Sequence, residues 1–170
     1  MRTVTRNRRI LGRTILLLGS ASSFCAASGL AHAGEPPCKA VTDAMLRAVT
    51  TPHHSFTKAG SLSMEEIYDG KKIYSLIAGK WSVSRLTPQI LIDQEKENER
   101  EGKVACSVVR DESIDGVSAT LYSVRAERGG DTSSEQIWIS KATGLPVHLK
   151  TDVPTDTRYI FSGIAAPDIR

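Results

Sequence analysis

The spacing of apolar residues changes once along this chain, at Pro52. Before it, in "CKAVTDAMLRAVTT", Val41, Met45 and Val49 recur every four residues, with Ala44, Leu46 and Ala48 beside them. That spacing predicts one apolar helical face over Cys38–Thr51, stopped by the proline. Beyond Pro52 the period becomes two. "SFTKAG" predicts a first strand. "MEEIYDGKKIYSLI" places Asp69-Gly70 between two β-friendly runs, a strong hairpin signal. "GKWSVSRL" predicts a further strand, and "VACSVVRDESIDGVSATLYSVRAE" repeats the hairpin signal with Asp115-Gly116. Arg128 to Ser133 is a polar turn.

One segment interrupts the strands. In "LTPQILIDQEKENEREGK", Thr87 is a candidate N-cap and Pro88 stands at the first helical position. Ile90 and Leu91 are apolar, and Asp93 to Lys103 is charged or polar apart from Gly102. This predicts a helix held at its start and solvated at its end. It is either a flap over the sheet or a plain surface connection, and charge runs are usually solvated faces.

The run "SEQIWISKATGLPVHLKTD" predicts a strand, a short turn and a return strand. Alternation sends Ile137 and Ile139 one way and Trp138 the other. Leu145, Val147 and Leu149 share a face of the return strand, opposite His148 and Lys150. Gly144 is free to take positive φ. Pro146 has no N–H to donate, so a bulged, non-bonded or edge position is expected for it. "TRYIFSGI" predicts a last strand over Thr157–Ile164, with Tyr159 and Phe161 on one face. The sum is an N-terminal helix, about seven or eight strands joined by tight turns, and one intervening helix. That is an α+β architecture with an antiparallel sheet wrapping onto helices.

The first 33 residues read differently. Arg2, Arg6, Arg8, Arg9 and Arg13 precede the apolar stretch Ile15 to Ala31, and Ala31-His32-Ala33 puts small residues at the −3 and −1 positions of a cleavage site. The stretch is diluted by Ser and Gly, whereas a membrane anchor needs about 20 strongly apolar residues. A cleaved signal peptide over 1–33 is expected, with a single domain over 34–170 exported to the periplasm. Peripheral contact is then the remaining mode of membrane association. The leader holds five of the 22 Lys+Arg and none of the 19 Asp+Glu, leaving 17 basic against 19 acidic groups. The basic balance belongs to the leader, and a nucleic-acid partner loses its support. A chain of this size buries roughly two thirds of its unfolded surface, enough for one core. Cys38 and Cys106 remain as an even pair in an oxidising compartment, which reads as a disulfide; the alternative is two buried thiols.

Candidate chemistry is sparse. There is no G-x-S-x-G, P-loop or G-x-G-x-x-G. His53 and His54 are adjacent, so on an extended segment at most one could join His148. Neither a metal site nor a cofactor is expected. The carboxylate pairs Glu65-Glu66 and Asp111-Glu112 read as exposed, without the pocket a general acid needs. No catalytic residue is expected.

Taken in order, these segments resemble the periplasmic lipoprotein-carrier superfamily, the LolA/LolB-type fold. The resemblance covers nearly the whole chain after the leader: a helix, "SFTKAG", "IYDGKKIYS", "GKWSV", "ACSVVRDESIDGVSATLYSV", "IWISKATGLPVHL" and a final Tyr/Phe strand. In its "TPQ" and "WISKATGLP" segments it is similar to small exported proteobacterial proteins. The resemblance implies an unclosed half-barrel whose concave side is plugged by helices and holds acyl chains. The cavity candidates are then Ile137, Ile139, Leu145, Val147 and Leu149, or the opposite set, with Tyr159 and Phe161. The chain is shorter than the carriers and has no arginine matching their functional one. The expected function is therefore non-catalytic binding of an apolar or lipid-like ligand. The alternative is an envelope sensor or interaction module that meets a protein partner through the sheet edge near Pro146 or the charged helix.

Overall fold

The computed structural model describes residues 36–101 and 103–169, with side chains of 98–101 left aside; the expected leader, 1–33, lies outside the described residues. Helix α1 spans Pro37–Thr50, with Pro37 in its first turn, where a missing N–H costs nothing. Its last turn is closed by Thr50 and Thr51, whose hydroxyls donate to the Arg47 carbonyl at 3.1 and 2.7 Å. Thr51 is already extended, at φ −100° and ψ 130°, as a residue before proline should be. The buried stripe is Val41, Ala44 and Ala48. Met45 and Val49, expected in the same contact, sit beside it and are half-buried. The two alanines let the helix approach the sheet closely there.

Nine strands follow: β1 His53–Ala59, β2 Leu62–Tyr68, β3 Ile73–Ile77, β4 Lys80–Val83, β5 Lys103–Ile114, β6 Val117–Arg128, β7 Asp131–Ser140, β8 Pro146–Thr151 and β9 Thr155–Ile160. Helix α2, Pro88–Glu101, stands between β4 and β5. Its start is capped as the sequence requires: Thr87 Oγ1 accepts the Ile90 N–H at 3.3 Å. The strands form one antiparallel sheet in the order β4-β3-β2-β1-β9-β8-β7-β6-β5. It is a curved, open sheet that does not close into a barrel. The pairing of β1 with β9 joins the two halves, setting Ser55 beside Tyr159 and Thr57 beside Thr157.

The hairpins form where the Asp-Gly pairs predict them. Asp115 and Gly116 have φ of 49° and 79°, the two positive values a type I′ turn needs. At the first hairpin the Asp69 carboxylate accepts the Lys71 and Lys72 N–H groups at 2.7 and 2.8 Å. The last strand starts at Thr155, two residues earlier than expected, because a tight turn follows Thr151.

Pro146 opens β8, which lies inside the sheet between β7 and β9, so no sheet edge runs near it. The edges are β4 and β5. Pro146 is opposite Ile139 and His148 opposite Trp138, so Val147 is the extra residue of a bulge. That extra residue splits the face expected for Leu145, Val147 and Leu149. Leu149 packs on the α1 side, with Val41, Ala44, Val124, Ile137 and Ile139. Val147 packs with Ala119, Leu121 and Trp138 on the other side. There the Trp138 indole N–H donates to Glu112 at 2.6 Å and its ring stacks on His148.

Cys38 and Cys106 form a disulfide. It ties the first turn of α1 to the edge strand β5, so α1 lies across β5–β8.

Candidate functional site

The strand registers fix which side chains face the helices. On the α1 side, Ser55 lies beside both Glu66 and Tyr159. Thr57 lies beside Met64 and Thr157. Leu149 follows beside Thr157 and Ile137, then Tyr122 beside Ile137. Val124 lies between Cys106 and Glu135. These residues form the concave face, and α1 covers only part of it.

The uncovered part is a hollow with two lobes, both bordered by Met45. The smaller lobe, about 370 Å³, lies over β1, β2, β3 and β9, between Ala48, Val49, Ile73, Ile77 and Tyr159. Leu91 of α2 reaches its wall. The larger lobe, about 780 Å³, lies over β5–β8, between Val41, Val104, Val124, Ala126, Ile137 and Leu149. Glu95 of α2 stands at its wall. Volumes of this order match ordinary ligand pockets.

A few polar groups interrupt the apolar lining. Burial pushes the Glu66 carboxyl above its usual pKa. Burial also raises Glu135, helped by the negative charges of Glu95 and Asp152. The Tyr159 phenol is pushed up to about 12, first by burial and then by Glu66 and Glu135. Burial lowers His53, against the opposing pull of the Thr51 and Ala48 carbonyls. His54 points to the other face, where its Nε2 meets Glu65 at 3.1 Å. Among the described residues no three His, Cys, Asp or Glu side chains converge to hold a metal ion.

The residues expected at a cavity are distributed as follows. Ile137 and Leu149 form the floor of the larger lobe, and Tyr159 lines the smaller. Ile139 lies beneath α1 with Val41 and Ala44. Phe161 sits behind the smaller lobe, its ring 5.8 Å from His53 and stacked near Tyr159. Leu145 is buried in the β7–β8 connection and Val147 is on the far side of the sheet. The local sequence did not point to Met45, Met64, Val104, Val124, Glu66 or Glu135. Met45 comes from α1 and the others from β2, β5, β6 and β7, and the two groups of strands meet only through the β1–β9 pairing, which joins residues distant in the chain.

Fold and site together define an α+β protein with an open antiparallel sheet, roofed by two helices over a partly empty apolar hollow. No family model matches the chain, and no curated protein matches its sequence. Two solved structures are similar to it in chain course. One is the crystal structure of LprF from Mycobacterium bovis, with 12% identity over 79% of this chain and 99% of that one, and a TM-score of 0.47. The other is the Mycobacterium tuberculosis lipoprotein LppX, with 13% identity over 79% and 98%, and a TM-score of 0.41.

Proposed function

We propose that this is an exported, non-catalytic binding protein that holds an apolar or acyl-bearing ligand beneath α1 and α2. The observation that carries the reading is the hollow itself: about 780 and 370 Å³ of space on the concave face that side chains leave empty. Protein interiors are ordinarily close-packed, and a gap forfeits contacts. A flexible chain entering it gains about 0.8 kcal/mol per buried CH₂. Ten methylenes then supply roughly 8 kcal/mol before the cost of ordering the ligand. Export to the periplasm is supported by the leader sequence and by the disulfide, which persists in an oxidising compartment. No helix of the described residues is long and apolar enough to cross a membrane.

The test is mass spectrometry of an organic extract of the purified protein, alongside titration with a hydrophobic fluorescent probe. Co-purifying lipid or saturable probe binding is expected. Ligand-free protein that also ignores the probe overturns the reading.

One observation favours the alternative, an envelope sensor or interaction module. Strand β5 offers a twelve-residue edge with Val104, Val108 and Val109 exposed. Capture of a single envelope partner, lost when β5 is broken by proline at Val109, would support it.

A further inference from the structure

The chemistry of the ligand's polar end can be argued further, on the basis of the apolar-cargo reading above. The hollow contains polar groups whose presence packing does not explain. Glu66 is held on the floor of the smaller lobe, directly across Ser55 from Tyr159. Glu66 and Tyr159 are each half-buried, and neither the carboxyl nor the hydroxyl has a hydrogen-bond partner among the described residues. Both polar ends line the hollow and are free to accept a hydrogen bond from whatever occupies it. The neighbouring hydroxyls do not serve them: Thr57 and Thr157 bond each other at 3.0 Å. His53 Nδ1 is engaged with the Thr51 carbonyl at 2.9 Å.

The field in the hollow has one prevailing sign. Glu135, Glu95 and Asp131 line the larger lobe, against Arg128, the single cation among the described residues there. The charges of Glu66 and Glu135 both bear on Tyr159. A carboxylate or phosphate placed there would meet like charge in a poorly solvated space. An ammonium would meet a carboxylate and a phenol oxygen, both able to accept its hydrogens.

We propose that the smaller lobe is a head-group site for amine-bearing amphiphiles. The ammonium is seated between Glu66 and Tyr159, and the chain runs past Met45 into the larger lobe along Val124, Ile137 and Leu149. The burial that raises Glu66 is the cost such a cation offsets. A charge-assisted hydrogen bond of this kind corresponds to discrimination on the order of tenfold or more.

The experiment compares decylamine, decanol and decanoate by isothermal titration at pH 7.5, each below the concentration at which it self-associates. The same titrations are run on Glu66→Gln and Tyr159→Phe, with thermal melts confirming that each variant folds. Expected is decylamine binding at least tenfold tighter than decanoate. Glu66→Gln should shrink that ratio to about threefold or less, with decanol weakened less than decylamine, and Tyr159→Phe should likewise weaken decylamine more than decanol. Should decanol bind while decanoate equals or exceeds decylamine, the head-group assignment falls and apolar binding stands. A preference for decylamine that survives in both variants also overturns the assignment. Failure of all three compounds to bind overturns both proposals.

Discussion

Replacing Cys38 and Cys106 together by alanine removes the cross-link that pins α1 over the sheet. The bridge closes a loop with a sequence separation of 68 residues. Loop-closure entropy for that length is about 14.7 cal/mol/K, or roughly 4 kcal/mol at 25 °C, as an upper figure. Cys106 is half-buried beside Val124 and Ile137, so its replacement by alanine also loses some packing. Native strain and residual structure in the unfolded chain reduce the figure in practice, and a loss of about 2–4 kcal/mol is expected. For a domain of this size that corresponds to a fall in Tm on the order of 10 °C. Urea unfolding of both proteins, followed by circular dichroism, reads the difference directly. The m-value should be slightly larger for the variant, whose unfolded chain is less constrained. The functional consequence is local: the larger lobe loses the fixed position of its α1 wall, so apolar-probe affinity should fall. A stability change below about 0.5 kcal/mol with unaltered probe binding would refute the view that the cross-link holds α1 on the sheet.

Ile137→Ala removes a side chain that is 2% exposed between α1 and the hollow. It should cost about 2–4 kcal/mol in urea unfolding, toward the low end because an existing cavity adjoins it. Gly144→Ala places a side chain at φ +65°, with its Cβ 2.8 Å from Arg47 Nη1. The Arg47 tip can swing aside at the expense of its 2.7 Å bond to the Thr143 carbonyl, so a loss of about 1–2 kcal/mol is expected by thermal melt. Glu66 and Glu135 have folded pKa values raised above the unfolded one, so the native state holds their protons longer. Their penalty is absent well below the ordinary value of 4.5 and grows as pH rises through the raised folded values. The Glu66→Gln/Glu135→Gln variant should therefore gain stability over the parent as pH rises above 4.5 and level off once pH passes the raised folded values. A difference that does not change with pH above 4.5 contradicts the assignment. Asp69 and Asp111 act in the opposite sense. Hydrogen bonds from the Lys72 and Lys71 N–H groups lower Asp69, and those from Lys141 and Thr120 lower Asp111. Their contribution is lost as pH falls through those lowered values, and Asp69→Asn should lessen the acid sensitivity of the melting curve.

Most of the elements could be read from the sequence because their signals are local. Asp69-Gly70 and Asp115-Gly116 fix their turns through backbone conformations available to few residue pairs. Pro52 and Thr87-Pro88 mark a helix end and a helix start for similar reasons. The strand order was not legible in the same way. Pairing β1 with β9 joins His54 to Ile160 across the whole domain, and no short-range pattern encodes it. Half of the hollow, Ile137, Leu149 and Tyr159, was therefore legible in the sequence, and the half built by β1–β3, β5 and β6 was not. Alternation also failed at one point. Val147 follows the period of two with Leu145 and Leu149, yet the bulge at Pro146 turns it to the opposite face. Pro146 itself announced the irregularity; its position inside the sheet was not deducible from its lack of an N–H. Glu66 reads as exposed because charged residues in strands usually are, and nothing local marks Glu135 as different. Their burial follows from the helices above them.

The central claim is that the space under α1 and α2 receives an apolar chain. Methyl-resolved NMR during titration with decanol tests it most directly, because the two sheet faces carry distinct reporters. The account predicts saturable shifts at Met45, Val124, Ile137 and Leu149, with Leu121 and Val147 on the opposite face left unmoved. Shifts confined to Leu121 and Val147, or none at any of the six, would contradict it.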